Sequence, residues 1–171
     1  MALYRLRTDP DAFDAALAPR SAAVPFRAFR GERIGDRWKP VEADLEEAGR
    51  RGNFLGFSTG VPVVDRKAWD ALRPLVGPHV EALEMTLKGE TLYALNVTTV
   101  VDCLDPERSE IERFDNGAIM DVGKFVFREG CADAPIFKQK GLEVADVFVD
   151  DRFREAVEKA GLEGADFRPV G

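Results

Sequence analysis

The stretch that decides the fold is Leu83-Glu84-Met85-Thr86-Leu87-Lys88-Gly89-Glu90-Thr91-Leu92-Tyr93-Ala94-Leu95-Asn96-Val97. Leu83, Met85 and Leu87 alternate with polar residues, and this period of two predicts a strand with one buried face. Lys88-Gly89-Glu90 predicts a turn, because glycine adopts backbone angles that other residues avoid. The run after the turn is rich in Val, Thr, Leu and Tyr and is apolar on both faces. It therefore predicts a central strand, paired antiparallel with the first.

A second hairpin follows at Asn116-Gly117. This pair is favoured in two-residue turns in which both residues have positive φ. Such a turn would set Phe114 opposite Ile119, an aromatic and β-branched pair that stabilises a sheet. The centre of the protein is thus predicted to be mostly antiparallel sheet.

Two helices are predicted beside the sheet. The first covers residues 65–73, with Asp65 as N-cap and Pro74 as its end, because proline disfavours helical angles at the preceding residue. The second covers residues 151–160 and is capped by Asp150. After it, Gly161 and Leu162 fit a Schellman motif.

These elements predict the α+β fold class and one domain over residues 1–171. Residues 1–60 form an irregular, loop-rich N-terminal part, and residues 61–171 form the sheet and helix core. The chain has 171 residues and is 45% hydrophobic, so it can bury a core of that size.

The net charge of −7 disfavours general binding to nucleic acid, because an acidic surface repels phosphates. The same charge suits a basic protein partner. No apolar run approaches the roughly 20 residues of a membrane helix, and the N-terminus lacks a signal-peptide pattern. We therefore expect a cytoplasmic protein without a membrane partner.

Cys103 and Cys131 form no CxxC pair. They are expected to be reduced thiols packed as small apolar groups, and a single disulfide or a reactive thiol stays open as an alternative. His79 is the only histidine, and it is expected at the end of a loop, outside any HxxxH motif or serine elbow. No catalytic, cofactor-binding or metal-binding residue is assigned.

The acidic connection, residues 102–110, links the two predicted hairpins. Asp105-Pro106 is a common way to start a turn. Three sharper interpretations are open: a catalytic pair of Asp102 and Asp105, a cation site, and nucleophilic chemistry at Cys103. We expect instead that this acidic loop contacts a protein partner. The expected contact residues are Asp102, Asp105, Glu107 and Glu110.

Residues 20–51 are the basic part of this acidic chain. Aromatic residues lie between the charges, a pattern that can bind nucleic acid, although nearby acidic residues cancel most of the charge. The basic residues are Arg20, Arg27, Arg30, Arg33, Arg37, Lys39, Arg50 and Arg51, and the aromatic ones are Phe26, Phe29 and Trp38.

Several short motifs occur once each along the chain, and their order can be compared with that of known families. They are Trp38-x-Pro40, Val63-Val64-Asp65, Leu95-Asn96-Val97-Thr98-x-x-Val101-Asp102-x-Leu104-Asp105, Val149-Asp150-Asp151-x-Phe153, Gly161-Leu162-x-Gly164 and Phe167-x-Pro169-Val170. This order resembles a bacterial polymorphic-toxin immunity family typified by a myxobacterial protein, formerly described as a domain of unknown function. The family pattern usually has serine where this chain has Asp65 and Asp150, and both residue types can cap a helix.

The resemblance implies a non-catalytic immunity protein that binds a cognate toxin and neutralises it by occlusion. The toxin would be basic if acidic residues steer the association. Two other classes stay open: a small hydrolase using the carboxylates, and a module that binds a small ligand or nucleic acid through the basic residues. The sequence predicts no cofactor and leaves the oligomeric state undetermined.

Overall fold

The computed structural model describes residues 1–17, 28–58 and 60–171, so Arg20, Phe26 and Arg27 of the basic stretch lie outside it. The helices are α1 (Arg66–Val76) and α2 (Asp151–Lys159). The strands are β1 (Leu3–Arg7), β2 (Ala15–Leu17), β3 (Val41–Glu42), β4 (Asp44–Glu46), β5 (Phe54–Ser58), β6 (Val61–Asp65), β7 (Val80–Leu87), β8 (Glu90–Val97), β9 (Val100–Val101), β10 (Glu110–Arg113), β11 (Ile119–Lys124), β12 (Ile136–Gln139), β13 (Phe148–Asp150) and β14 (Asp166–Val170).

The described strands form three sheets. The largest has the order β3-β7-β8-β6-β5-β2-β4, the second has the order β14-β1-β13-β12-β9, and β10 and β11 pair only with each other. Among these strands, β2 with β5, β3 with β7 and β9 with β12 are parallel, and the other pairs are antiparallel. The chain is therefore mixed helix and sheet, with mostly antiparallel pairing.

The first predicted hairpin is present as β7 and β8, with Leu87 paired to Glu90 across the turn. Lys88 and Gly89 both have positive φ, at 49° and 82°, as a tight two-residue turn requires. β8 lies between β7 and β6, and its side chains enter buried clusters on both faces of the sheet. The prediction of a central strand is confirmed.

Three buried clusters give the molecule its layers. The first contains both helices, packed between the two larger sheets around Leu72, Leu95 and Phe153. The second covers the other face of the seven-stranded sheet and includes Phe29 and Ile34 from the N-terminal segment. The third lies beneath the β10–β11 hairpin and covers the outer face of the five-stranded sheet.

Helix α1 is longer than predicted. It continues through Pro74 to Val76, and the N–H of Gly77 donates to the carbonyl of Arg73. Burial of Leu72 and Val76 against the sheet offsets the local preference of Arg73 for extended angles. The N-cap is as predicted, because the Asp65 carboxylate accepts a 2.9 Å hydrogen bond from the N–H of Ala68.

Helix α2 agrees with its prediction to within one residue. Its N-cap is Asp150, which accepts from the N–H of Phe153 at 3.2 Å. Gly161 has φ of 63°, and the N–H of Leu162 donates to the carbonyl of Val157. This bond, with a second from Gly161 to Glu158, forms the expected Schellman motif.

The second hairpin differs from its prediction in register. Arg113, rather than Phe114, lies opposite Ile119. Gly117 has positive φ and Asn116 does not, and the N–H of Gly117 donates to the carbonyl of Phe114. The connection is therefore a three-residue turn with glycine at its last position, which moves the pairing by one residue.

The N-terminal part is less irregular than predicted. Its described residues up to position 58 contribute five strands to the two larger sheets. Residues Ala15–Leu17 form a strand between β4 and β5, although the spacing of Phe13 and Leu17 suggests helical turns. Pairing with two partners explains this difference, because tertiary contacts override weak local propensity.

The two cysteines are joined by a disulfide, so the expectation of free thiols is wrong. Cys103 is buried and Cys131 is exposed. The Leu104–Phe127 bridge and a hydrogen bond from the N–H of Arg128 to the carbonyl of Cys103 bring the two segments together. Sequence spacing alone does not reveal this proximity.

Candidate functional site

The acidic connection runs from the end of β9 to the start of β10. Asp105 Oδ1 accepts hydrogen bonds from the backbone N–H groups of Glu107 and Arg108, at 3.0 and 3.2 Å. The Asp105 side chain therefore shapes the turn, as Asp does in turns generally. Glu107 and Glu110 extend into solvent.

Asp102 has a different environment from the rest of the acidic connection. Its carboxylate lies 3.4 Å from the amine of Lys140, and both side chains are largely exposed. An exposed pair of this kind contributes little to stability, and a partner can replace it at small cost. Asp102 and Asp105 form separate interactions, so they do not form a shared carboxylate pair.

Ser109 fixes the acidic connection to the base of the β10–β11 hairpin. Its hydroxyl accepts from the N–H of Val126 at 3.0 Å and lies 3.1 Å from the carbonyl oxygen of Val126. The N–H of Asp105 donates to the same carbonyl. The acidic connection and the hairpin are therefore held together as one surface.

The β10–β11 hairpin presents a mixed apolar and acidic surface. Phe114 and Met120 are 54% and 50% exposed and, after Met1, are the most exposed large apolar side chains among the described residues. Around them lie exposed acidic residues of both strands. We call this set the hairpin surface; its residues are Glu110, Glu112, Phe114, Met120 and Asp121.

A β-bulge explains why Met120 is exposed. Glu112 pairs with Asp121 and Arg113 pairs with Ile119, so Met120 is an extra residue without a partner in the register. Ile119 and Val122 both pack against the third buried cluster. The bulge therefore places two successive residues, Met120 and Asp121, away from the core.

The carboxylates of the hairpin surface differ in their neighbours across the hairpin: Glu110 lies opposite Lys124, whereas Glu112 and Asp121 lie opposite each other. Neither Glu110, Glu112 nor Asp121 takes part in an ion pair within the described part of the chain. Arg113 lies nearby, but one of its N–H groups donates to the carbonyl of Gly117 and supports the turn. The negative charge is available to a partner.

The sequence did not predict the hairpin surface as a site. Its prediction stopped at Glu110, and the regular alternation of a strand would have assigned Met120 and Asp121 to opposite faces. One signal was available in the sequence. Ile119 and Val122 are three residues apart, whereas apolar residues on one face of a regular strand are two or four residues apart.

The residues considered for catalysis do not converge. His79 Nδ1 lies 2.8 Å from the hydroxyl of Thr99, whereas Asp102 contacts Lys140 and Asp105 contacts backbone. Three surface cavities in the described part of the chain, of about 250, 580 and 320 Å³, are lined by other residues. Within the same residues no group of three or more His, Cys, Asp or Glu side chains could hold a metal ion.

Three of the described arginines in the 20–51 stretch form ion pairs with carboxylates of the protein itself. Arg33 lies 3.5 Å from Glu81, Arg50 pairs with Glu163, and Arg51 makes two 2.8 Å hydrogen bonds to Glu90. The carboxylate beside each of these arginines would repel a phosphate, which reduces the attraction that the arginine offers. The stretch therefore offers weak support for nucleic-acid binding.

Two polar side chains anchor the segment around Phe29 to Gly35, and the sequence predicts a role for neither of them. Glu81 accepts from the N–H groups of Ile34 and Gly35 at 2.8 and 3.2 Å, and from the Asn96 amide at 2.8 Å. Burial alone would raise the pKa of Glu81, but the hydrogen bonds from Ile34, Asn96 and Gly35 and the nearby Arg33 charge outweigh it and lower that pKa.

Lys138 provides a second anchor for this segment. It is fully buried, and its amine donates to the carbonyl of Phe29 at 2.5 Å. Burial lowers the pKa of Lys138 to about 8, and the negative charge of Glu143 opposes part of this shift. The polar contacts of Glu81 and Lys138 are thus accounted for by their role in holding this segment.

Comparison with known families identifies the chain. No helix among the described residues is long and apolar enough to cross a membrane. No curated protein matches the chain significantly. A model of the Immunity protein family (Imm11) matches residues 79–171, just over half of the chain, which includes the acidic connection, the hairpin surface and helix α2. The Trp38-x-Pro40 and Val63-Val64-Asp65 motifs lie outside the matched residues. The chain belongs to the Imm11 immunity protein family.

Proposed function

We propose that this protein binds a cognate toxin and neutralises it by covering the toxin's active surface, without catalysis of its own. Membership of an immunity protein family is the observation that carries this proposal. The separation of His79, Asp102 and Asp105 into unrelated contacts supports a binding role over a hydrolytic one.

The proposed contacts include the acidic connection. Glu107 and Glu110 are exposed and take part in no ion pair among the described residues, so they are available to Lys or Arg of the toxin. Asp102 exchanges its solvent-exposed contact with Lys140 for a toxin contact, and Asp105 holds the turn that presents its neighbours. An acidic surface of this kind accelerates association with a basic partner.

Co-expression with the product of the adjacent upstream gene tests the proposal. A tag on the immunity protein should recover both chains in a stoichiometric complex, and cells producing both should grow. Replacing Asp102, Glu107 and Glu110 together by lysine should weaken the complex, because attraction becomes repulsion. Absence of both the complex and the protection with the unaltered protein would overturn the proposal.

A further inference from the structure

The hairpin surface combines two features that do not favour an isolated monomer. Exposed Phe114 and Met120 keep apolar area in contact with water, which costs free energy that burial would recover. Across the same hairpin, Glu112 lies directly opposite Asp121, and like charges in that position are destabilising. Neither Glu112 nor Asp121 takes part in an ion pair among the described residues that would offset this repulsion.

The charge on the hairpin surface identifies the kind of partner that fits it. Two copies of this chain meeting through the same surface would bring two clusters of Glu112 and Asp121 carboxylates close together, and the like charges would repel. A basic partner would instead pair with these carboxylates. The apolar side chains between them need a socket that excludes water.

We infer that the hairpin surface inserts into an apolar socket of the toxin that is rimmed by Lys or Arg side chains. Phe114 and Met120 fill the socket, and Glu110, Glu112 and Asp121 contact the basic rim. This inference rests on the proposed function and deepens it, because it moves the centre of the interface from the acidic connection to the hairpin.

The two parts of the surface have different kinetic effects. Charges at the rim of an interface act mainly on the association rate, and their effect decreases as salt is added. Apolar anchors at the centre act mainly on the dissociation rate, because their contacts form only in the docked complex. Substitutions of the two types should therefore change different rate constants.

Surface plasmon resonance with the purified, inactivated product of the adjacent upstream gene tests this inference. The variants are Phe114→Ser with Met120→Ser for the anchors, and Glu112→Lys with Asp121→Lys for the rim. Leu17→Ser is the control for the anchors, because Leu17 is an exposed apolar residue of the seven-stranded sheet. Glu155→Lys with Glu84→Lys, at two exposed positions outside the hairpin, is the control for the same change in net charge.

The anchor variant should raise the dissociation rate at least about tenfold, as expected when residues at an interface centre are truncated. The rim variant should lower the association rate about tenfold at low salt, with a smaller change at high salt. Both controls should bind as the unaltered protein does. Thermal unfolding of every variant checks that the loss of binding is not a loss of fold.

Three results would overturn the inference. Binding of the unaltered protein with no change in the hairpin variants would disprove the hairpin contact and leave the proposed function in place. No binding by the unaltered protein would overturn both. A homodimer that Phe114→Ser dissociates, seen by sedimentation, would assign the surface to a second copy of the chain.

Discussion

Glu112 lies directly opposite Asp121 in the β10–β11 hairpin, so two carboxylates face each other across the strands. Replacing Glu112 with lysine turns this repulsive pair into an attractive one. We expect Glu112→Lys to raise the free energy of unfolding by about 0.2–1 kcal/mol, the range for cross-strand pairs. Urea unfolding at low salt measures the change.

Glu155→Lys gives the same change in net charge on an exposed position of α2 and serves as the control. The difference between the two variants should shrink at high salt, because screening weakens interactions between exposed charges. A destabilised Glu112→Lys variant would contradict the account of this pair. Increased stability together with weaker toxin binding would indicate that the repulsion is retained for function.

The Cys103–Cys131 disulfide closes a loop that contains the whole hairpin surface, with a sequence separation of 28 residues. Such a loop is expected to contribute about 3–4 kcal/mol, mainly by restricting the unfolded chain. Replacing both cysteines with serine should lower the free energy of unfolding by that amount in guanidinium chloride. The unaltered protein in excess reductant should match the double variant; equal stability of oxidised and reduced protein would contradict the bond's contribution.

Lys138 should make stability rise with pH in the alkaline range. Its folded pKa of about 8 lies below its ordinary value of 10.5, so the unfolded chain binds more protons between these values. Stability therefore increases as pH rises through that window. Relative to Lys138→Met, the unaltered protein should gain about 2 kcal/mol between pH 7 and pH 9.5.

Lys140→Met is the matched control for Lys138, because Lys140 is close in sequence but largely exposed. Its stability should follow that of the unaltered protein across the same pH range. Unfolding curves at several pH values provide the measurement. A constant difference between Lys138→Met and the unaltered protein would show that the amine keeps its ordinary pKa.

Glu81 should hold the segment around Ile34 and Gly35 against the sheet. Glu81→Ala removes hydrogen bonds to two backbone N–H groups and to the Asn96 amide, and should cost about 2–3 kcal/mol. The amides of Ile34 and Gly35 should lose protection from hydrogen exchange. Glu84→Ala, on the exposed part of the same strand, is the control and should leave those amides protected.

The lowered pKa of Glu81 makes the contribution of this anchor to stability depend on pH in the acid range. Its folded pKa lies below the ordinary value of 4.5, so its contribution is complete above that value. The contribution is lost as pH falls through the folded pKa. The stability difference between Glu81→Ala and the unaltered protein should therefore shrink in acid; a constant difference would contradict the charged anchor.

Features set by local chemistry were predictable from the sequence. The β7–β8 hairpin follows from the alternation before Lys88-Gly89, and α2 follows from Asp150 as N-cap and Gly161 after its end. Each signal lies within a few residues of the element that it specifies. The predicted sheet centre and the second helix depend on nothing more distant.

Features set by distant contacts were not predictable in this way. The disulfide, the Lys138 anchor and the continuation of α1 through Pro74 all depend on segments that meet only in the folded chain. The bulge at Met120 is local, but it breaks the alternation from which strand faces are inferred. Because of this bulge, the alternation of apolar residues does not reveal that Met120 and Asp121 share an exposed face.

Protection of growing cells tests the central claim most directly. Cells that produce the upstream gene product would also produce either the unaltered immunity protein or the Phe114→Ser, Met120→Ser variant, at matched levels. We predict growth with the unaltered protein and with the Leu17→Ser control, and arrest with the hairpin variant. Equal protection by the hairpin variant would contradict neutralisation through the hairpin surface, and arrest with the unaltered protein would contradict the immunity function itself.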